Sequence, residues 1–151
     1  MRITFHLEWV KSGKASVKSF KHKSAHDLFT EYTERIQPFA GCEMTGAFQK
    51  KDFKLPFKIL VCDRGSGSRM LSSEDLARRL TQMEGGGTKS LHVLIGGPDG
   101  FPAGTLEAMQ PELRWCFGPL TLPHELAAVV AAEQLYRAFS IIKGLPYHGS
   151  H

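Results

Sequence analysis

Two short apolar runs, Phe57–Cys62 (FKILVC) and Leu91–Ile95 (LHVLI), each pass straight into a glycine-bearing loop. Neither run alternates cleanly between apolar and polar residues. Each therefore reads as a strand buried on both faces, the kind found in parallel sheets. A helix signal separates them. Ser72 to Asp75 forms a capping box, and Leu76, Leu80 and Met83 follow at helical spacing. Gly85-Gly86-Gly87 then ends the helix. Strands that alternate with helices in this way argue an α/β layer with a mainly parallel sheet.

The rest of the chain extends the same plan. Arg2–Val10 alternates loosely through Ile3, Phe5, Leu7 and Trp9 and reads as a strand. Ser24 is placed to cap a helix from Ala25 to about Gln37, with Leu28, Phe29, Tyr32 and Ile36 on one face. Further strands are expected at Cys42–Gln49 and Leu113–Phe117, and a short helix at Ala103–Met109. Pro123 suits the first position of a last helix running to Lys143, closed by Gly144 and Pro146. The 151 residues make one domain with no internal repeat or linker.

Within the last helix, Leu126–Leu135 reads LAAVVAAEQL, apolar almost all round. Such a helix must be covered on every side. It is either a central core helix or part of a two-fold interface, and the second is the favoured reading.

No apolar run is long enough to span a membrane, and Met1–Val10 lacks the apolar core of a signal peptide. The three cysteines, Cys42, Cys62 and Cys116, include no C-x-x-C pair. A reducing cytoplasm is the expectation, with no metal site. Cys62 and Cys116 lie in strand-like runs and read as inert core thiols.

Charge is uneven. Residues 1–62 carry eleven Lys/Arg against six Asp/Glu, whereas residues 63–151 carry eight against nine. Lys11, Lys14, Lys18, Lys21 and Lys23 are the densest group, with Phe20 and His22 among them. Such a segment suits a phosphate backbone, because each lysine that neutralises a phosphate releases counterions. It also suits a solvated, disordered loop.

Two loops could hold a ligand. Gly96-Gly97-Pro98-Asp99-Gly100 follows a strand, where glycines let a backbone approach a ligand closely. Its spacing matches neither a dinucleotide fingerprint nor a Walker loop. Gly118–His124 is an apolar loop entering a helix. It offers main-chain groups beside apolar walls, which suits a flat heterocycle such as adenine, or it is only a hydrophobic staple. Beyond the last helix, Tyr147 and His148 add two hydrogen-bonding aromatics. No H-E-x-x-H or G-x-S-x-G motif is present.

These pieces together resemble a known family. Leu94–Gly100 (LIGGPDG), Leu120–His124 (LTLPH), Glu133–Ile141 (EQLYRAFSI) and Pro146-Tyr147-His148 occur in the same order and spacing in the RlmH (YbeA-like) family. Asp63-Arg64-Gly65 and Ser72-Ser73-Glu74 also fit. That family comprises SPOUT-class methyltransferases of large-subunit ribosomal RNA, and the resemblance is clear from about Ile59 to His148. It implies a single α/β domain with a C-terminal trefoil knot, divergent and basic over residues 1–58. It further implies a cytoplasmic homodimer holding S-adenosylmethionine and methylating N3 of a pseudouridine in 23S rRNA. Carried over, the cofactor positions fall on Cys62, Gly96, Gly118, Pro119, Leu120, Thr121, Leu122 and Pro123. His148, Tyr147 and Arg137 are the catalytic candidates, and the five lysines the RNA contacts.

The chain departs from the family at particular places. Gly149 follows His148 where the family carries Arg or Lys, and Cys62 replaces a usual Leu. A basic insertion precedes the first helix, and the usual second helix is absent between Cys42 and Phe57. The departures keep two other readings open: a SPOUT enzyme with a different RNA substrate, and a ribosome-binding module without catalysis.

Overall fold

The computed structural model describes residues 1–150 other than 53, 55 and 66. Its strands are β1 (Arg2–Leu7), β2 (Cys42–Thr45), β3 (Phe57–Cys62), β4 (Arg69–Met70), β5 (Ser90–Ile95) and β6 (Leu113–Cys116). They form one sheet in the order β2-β1-β5-β3-β6-β4, every pair parallel. The helices are α1 (Lys23–Ile36), α2 (Ser73–Gly85), α3 (Thr105–Met109) and α4 (His124–Ile142). The expected α/β architecture is therefore present, with small differences of extent. The first strand stops at Leu7 and the second at Thr45, and the two-residue edge strand β4 carried no pattern long enough to read.

The centre of the sheet follows from the two apolar runs. Leu60, Val61, Leu91, Val93, Leu94 and Ile95 are all buried. Each such side chain contributes about 1.5–3 kcal/mol on leaving water. One face of the sheet carries α1, α2 and α4. Its core joins Ile3, Phe5 and Leu7 of β1 to Phe29, Leu80, Leu135 and Phe139. The opposite face is thinner: Ile59, Val61 and Leu94 meet Leu106 of α3, with Phe48 and Phe57 packed alongside. His6 and His92 are also buried, their rings joined by a 2.9 Å hydrogen bond.

Three expectations change once the chain is folded. Helix α1 starts at Lys23, two residues before the expected Ala25, with His22 and not Ser24 at the cap position and no side chain of its own capping it. Its entry is held by Glu125 at the start of α4, a buried carboxylate that accepts the Lys21 N–H (2.7 Å) and the His22 N–H (3.0 Å). Helix α4 is central: it packs between α1 and α2, with Ala128, Ala131, Ala132 and Ala138 fully buried. Small side chains let both neighbours approach, so the apolar girth is covered largely within one chain, contrary to the favoured interface reading. Finally, the lysine segment folds back onto the body and is not a detached loop. A 3-10 turn at Val17–Ser19 carries the capping box of Ser16 and Ser19, Phe20 is buried, and Trp9 donates its indole N–H to the Ser19 carbonyl (2.8 Å).

The strand order has one further consequence. β6 lies between β3 and β4, although β3 and β4 are joined directly by residues 63–68. That short connection must cross the C-terminal end of β6, spanning two inter-strand steps of about 4.8 Å. The chain leaving β6 passes beside it.

Candidate functional site

The carboxyl ends of β3, β5 and β6 meet at one edge of the sheet, where the order of strands departs from the order of sequence. In open parallel sheets this is where ligand crevices form. A cleft of about 590 Å³ opens there. Its walls come from Cys62, Ile95, Gly96, Trp115, Phe117 and the loop Leu120–Pro123, with Phe101 beside Gly96. The volume lies in the usual range for a small-molecule site, and apolar walls dominate.

Of the eight positions expected to hold a cofactor, Cys62, Gly96, Leu120, Thr121, Leu122 and Pro123 line this cleft. Gly118 and Pro119 do not line it; they belong to the loop that shapes it. Gly118 takes φ +100, a left-handed conformation in which a side chain would be strained. Gly96 has a different reason to be glycine. A Cβ there would sit 3.0 Å from the Phe101 ring. Its missing side chain makes room first for Phe101, itself a wall of the cleft. Gly97 likewise admits Trp9, which lies against the His124 ring (centroids 4.5 Å apart).

From the residues alone Cys62 and Cys116 read as core thiols, and the resemblance places only Cys62 at the cofactor. Both are half-buried and line the cleft. Burial pushes the Cys62 thiol far up its titration range, with Asp63 adding to the shift, so it stays a neutral wall and not a nucleophile. Two charged neighbours were noted only as fitting the family. Asp63 accepts from Arg114 of β6 (Nε to Oδ2, 3.0 Å) and Arg64 reaches across the cleft mouth. Arg64 donates to the Pro119 carbonyl (3.0 Å) and to the Thr121 hydroxyl, pinning the 63–68 crossing onto the loop that leaves β6.

The three catalytic candidates are brought together, but not at the cleft. Arg137 donates twice to Glu133 (2.7 and 2.9 Å), stacks its guanidinium on the Tyr147 ring and meets His148 Nδ1 at 3.1 Å. The Tyr147 hydroxyl donates to the same Glu133 oxygen (3.0 Å). His148 Nε2 lies 2.6 Å from Glu74 on α2. Glu133 is therefore the hub of the cluster, a residue quoted in the family motif but given no role. Burial, together with Tyr32 and the Glu133 carboxylate, raises the Tyr147 phenol well above its ordinary value. At neutral pH it is a hydrogen-bond donor, not a base. Ala127 lines the cleft and Arg137 lies ten residues further along α4, about 15 Å at ~1.5 Å per residue. None of the three residues lines the cleft of its own chain.

The five lysines are all exposed. Among the described residues only Lys23 forms an ion pair, with Asp27 at 2.7 Å. They lie on a segment that Trp9 and Glu125 tie to the body, next to His124, which lines the cleft. No group of three or more His, Cys, Asp or Glu suited to a metal occurs among the described residues. No described helix is long and apolar enough to cross a membrane.

A family model described as "Predicted SPOUT methyltransferase" matches residues 14–148. A Magnetococcus marinus protein named "Ribosomal RNA large subunit methyltransferase H" is 32% identical over 148 residues, covering 85% of this chain and 91% of that protein. Proteins of the same name from Stenotrophomonas maltophilia and Xanthomonas oryzae pv. oryzae are 51% and 48% identical over 94 residues. Those two matches cover 62% of this chain and 58% of each relative. A methyltransferase from Legionella pneumophila, solved in complex with SAM, aligns with 92% of this chain and 66% of its own, at 12% identity and a TM-score of 0.45.

Proposed function

The chain belongs to the SPOUT methyltransferase family, and on that footing we propose that it uses S-adenosylmethionine to methylate N3 of a pseudouridine in 23S rRNA of the large ribosomal subunit. One observation carries the reading. Six of the eight positions implied by the family resemblance, drawn from three separate stretches of sequence, line a single cleft of about 590 Å³.

The residues present fit that cofactor. Ile95, Phe101, Trp115, Phe117 and Leu122 offer apolar walls to an adenine ring, and the Gly96 and 118–123 loops offer main-chain donors and acceptors. Arg64 and the left-handed Gly118 fix the second loop in place. Bound there, S-adenosylmethionine supplies an electrophilic methyl carbon. The chain's part is to hold its reactants in line, keep water out and favour the anionic form of the base. Arg137, Tyr147 and His148 suit the last of these roles, because a guanidinium and a phenol that stays protonated both stabilise negative charge developing on a deprotonated ring nitrogen.

The distance of about 15 Å along α4 bears on assembly. In one chain the cluster cannot serve the cleft, whereas in a two-fold dimer each copy can present its Arg137–Tyr147–His148 cluster to the other's cleft. Exposed apolar residues support a homodimer: Leu120 is 69% exposed and Leu126 45%. The strand order supports a knot, because residues 63–68 cross the end of β6 and are tied by Arg64 to the chain that leaves it. A cytoplasmic site of action and one SPOUT domain over 1–151 go with this reading. A second reading, methylation at a different RNA position, is favoured by Gly149 standing where the family carries a cation.

The test is direct. Ribosomal RNA from cells with and without the gene is digested and its methylated nucleotides are mapped by mass. Loss of one methylated pseudouridine from 23S rRNA is expected; loss of a different nucleotide selects the second reading, and no difference overturns both. Titration calorimetry supplies the cofactor check, since no heat at millimolar S-adenosylmethionine would leave only a binding module. Mixing a Tyr147→Phe protein with a Gly118→Val protein tests the dimer. Each is inactive alone, and partial activity on mixing is expected if the cluster acts across the two-fold.

A further inference from the structure

We propose that a groove between α2 and the β6–β4 edge of the sheet is a second RNA-phosphate site, on the opposite flank of the cleft from the lysine segment. The proposal rests on the reading of the chain as an RNA methyltransferase and adds to it a surface that neither the sequence pattern nor the family resemblance marked.

The groove is built from two adjoining hollows. One, of about 330 Å³, is lined by Arg69, Arg78 and Arg79, with Asp75 and the apolar Met70 and Leu71. The other, of about 220 Å³, contains Lys58 and Glu112. Arg79 and Gln82 line both, so the hollows are continuous along α2. Four cations thus face two carboxylates. Arg78 is paired with Asp75, and Lys58 with Glu112 at 3.4 Å. Among the described residues Arg69 and Arg79 have no carboxylate within 4 Å, and Arg79 is only half-exposed. Holding a guanidinium partly out of water beside two others is unfavourable without an anion. Planar guanidinium forks match phosphate oxygens two at a time.

Three further features point to a polynucleotide backbone as the occupant. First, the edge is open: β4 pairs only with Trp115 and Cys116, leaving Leu113 and Arg114 of β6 without a strand on that side. Second, apolar Met70, 69% exposed, stands among the arginines, as a surface for an unstacked base would. Third, the position is right. The lysine segment follows β1, and the groove flanks β4, four inter-strand steps away or about 19 Å at ~4.8 Å per step. The cleft opens between them at the carboxyl ends of β5, β3 and β6, level with Arg69 of β4, which pairs with Trp115; Lys58 and Glu112 extend the groove along α2 toward the amino ends of β3 and β6, away from the cleft. An RNA strand held at both flanks would pass its target base over the cleft. Phosphate contacts of this kind set position and not sequence.

The experiment uses the full chain, purified large ribosomal subunits and protein-free 23S rRNA. Binding is measured over a range of salt for the natural protein, for Arg69→Ala/Arg79→Ala and for Arg69→Lys/Arg79→Lys. Losing two phosphate contacts should lower the slope of log affinity against log salt by about 1.4, at ~0.7 per single-strand contact. Affinity should fall roughly tenfold at moderate salt, while the lysine variant keeps most of the slope. S-adenosylmethionine affinity should not move, because neither arginine lines the cleft; a large change would mean that the fold was disturbed, and Arg79→Gln alone then decides by the same slope. An unaltered slope overturns the proposal. A loss seen with subunits but not with protein-free RNA also overturns it, by indicating a ribosomal protein as the partner. Failure of the RNA reading looks different: the natural protein itself would show no salt-sensitive binding to either target.

Discussion

Glu125 is the residue whose replacement tests the fold and the site together. Its carboxylate is only 4% exposed and accepts two main-chain N–H groups, from Lys21 at 2.7 Å and His22 at 3.0 Å. These residues are separated from it by 104 and 103 positions. Hydrogen bonds to a charged group contribute about 1.5–3 kcal/mol each. Glu125→Ala removes both. Lys21 and His22 are exposed residues, so water can reach the freed N–H groups, and the lower end applies: a loss of about 3 kcal/mol in all. For a chain of this length each kcal/mol lowers the melting temperature by about 2–4 °C, giving a drop of roughly 9 °C. Glu125→Gln keeps one acceptor oxygen and should lose about half. Calorimetry gives the melting temperature, and amide hydrogen exchange locates the effect: exchange should quicken at Lys21 and His22 before it quickens in β5. Glu107→Ala, at an exposed position of α3, is the control and should stay within about 0.5 kcal/mol of the natural protein. If Glu125→Ala melts within 2 °C of the natural protein, at about 0.6 kcal/mol or less, the carboxylate is not what holds the lysine segment against α4.

Three other outcomes are expected. Gly118→Ala makes the left-handed conformation cost about 1–2 kcal/mol; the free loop relaxes to escape that strain and must re-form it on binding, so S-adenosylmethionine binding should weaken roughly five- to thirty-fold with little change in melting temperature, and unchanged affinity in calorimetry would remove that loop from the cofactor site. Replacing Lys11, Lys14, Lys18, Lys21 and Lys23 with Ala should flatten the salt dependence of ribosome binding, and an unaltered slope would make the segment merely solvated. The third concerns pH. Burial raises the Glu8 carboxyl to about 7, against the opposing pull of the Phe48 N–H and Lys11, so its contribution is full below pH 4.5 and is lost as pH rises toward 7. Burial lowers His6 to about 4, so its contribution is full above 6.5 and is lost as pH falls toward 4. The two oppose each other between pH 4.5 and 6.5. Glu8→Gln removes one of them, and its stability should climb more steeply with pH across that window, by up to about 1.4 kcal/mol per pH unit. Equal slopes in urea titrations at pH 4.5, 5.5 and 6.5 would show that Glu8 titrates normally.

Much of this protein was legible in local pattern. Strands β3 and β5, the Ser72 cap and helix α2, and the long α4 all announce themselves within windows of about ten residues, because periodicity, capping and glycine stops act between near neighbours. The glycine loop at 96 and the loop at 118–123 could be named as candidates for the same reason. Local pattern could not place Arg64 on Thr121, 57 positions away, or make Glu133 the hub of Tyr147 and Arg137. Nor could it reveal the basic groove. Residues 63–151 carry one more acidic than basic residue, and only folding brings Lys58 of β3, Arg69 of β4 and Arg78 and Arg79 of α2 into one groove.

Helix α4 shows where the division falls. Composition required that Leu126–Leu135 be covered on most sides, and Ala128, Val129, Ala131, Ala132 and Leu135 are buried while Leu126 stays exposed. Whether the cover came from α1 and α2 or from another copy depended on where a sheet ordered β2-β1-β5-β3-β6-β4 would put its crossovers. Composition determines how much surface must be buried, because that depends only on which side chains are present. Which surfaces bury one another is decided by strand order, and strand order is a property of the whole chain.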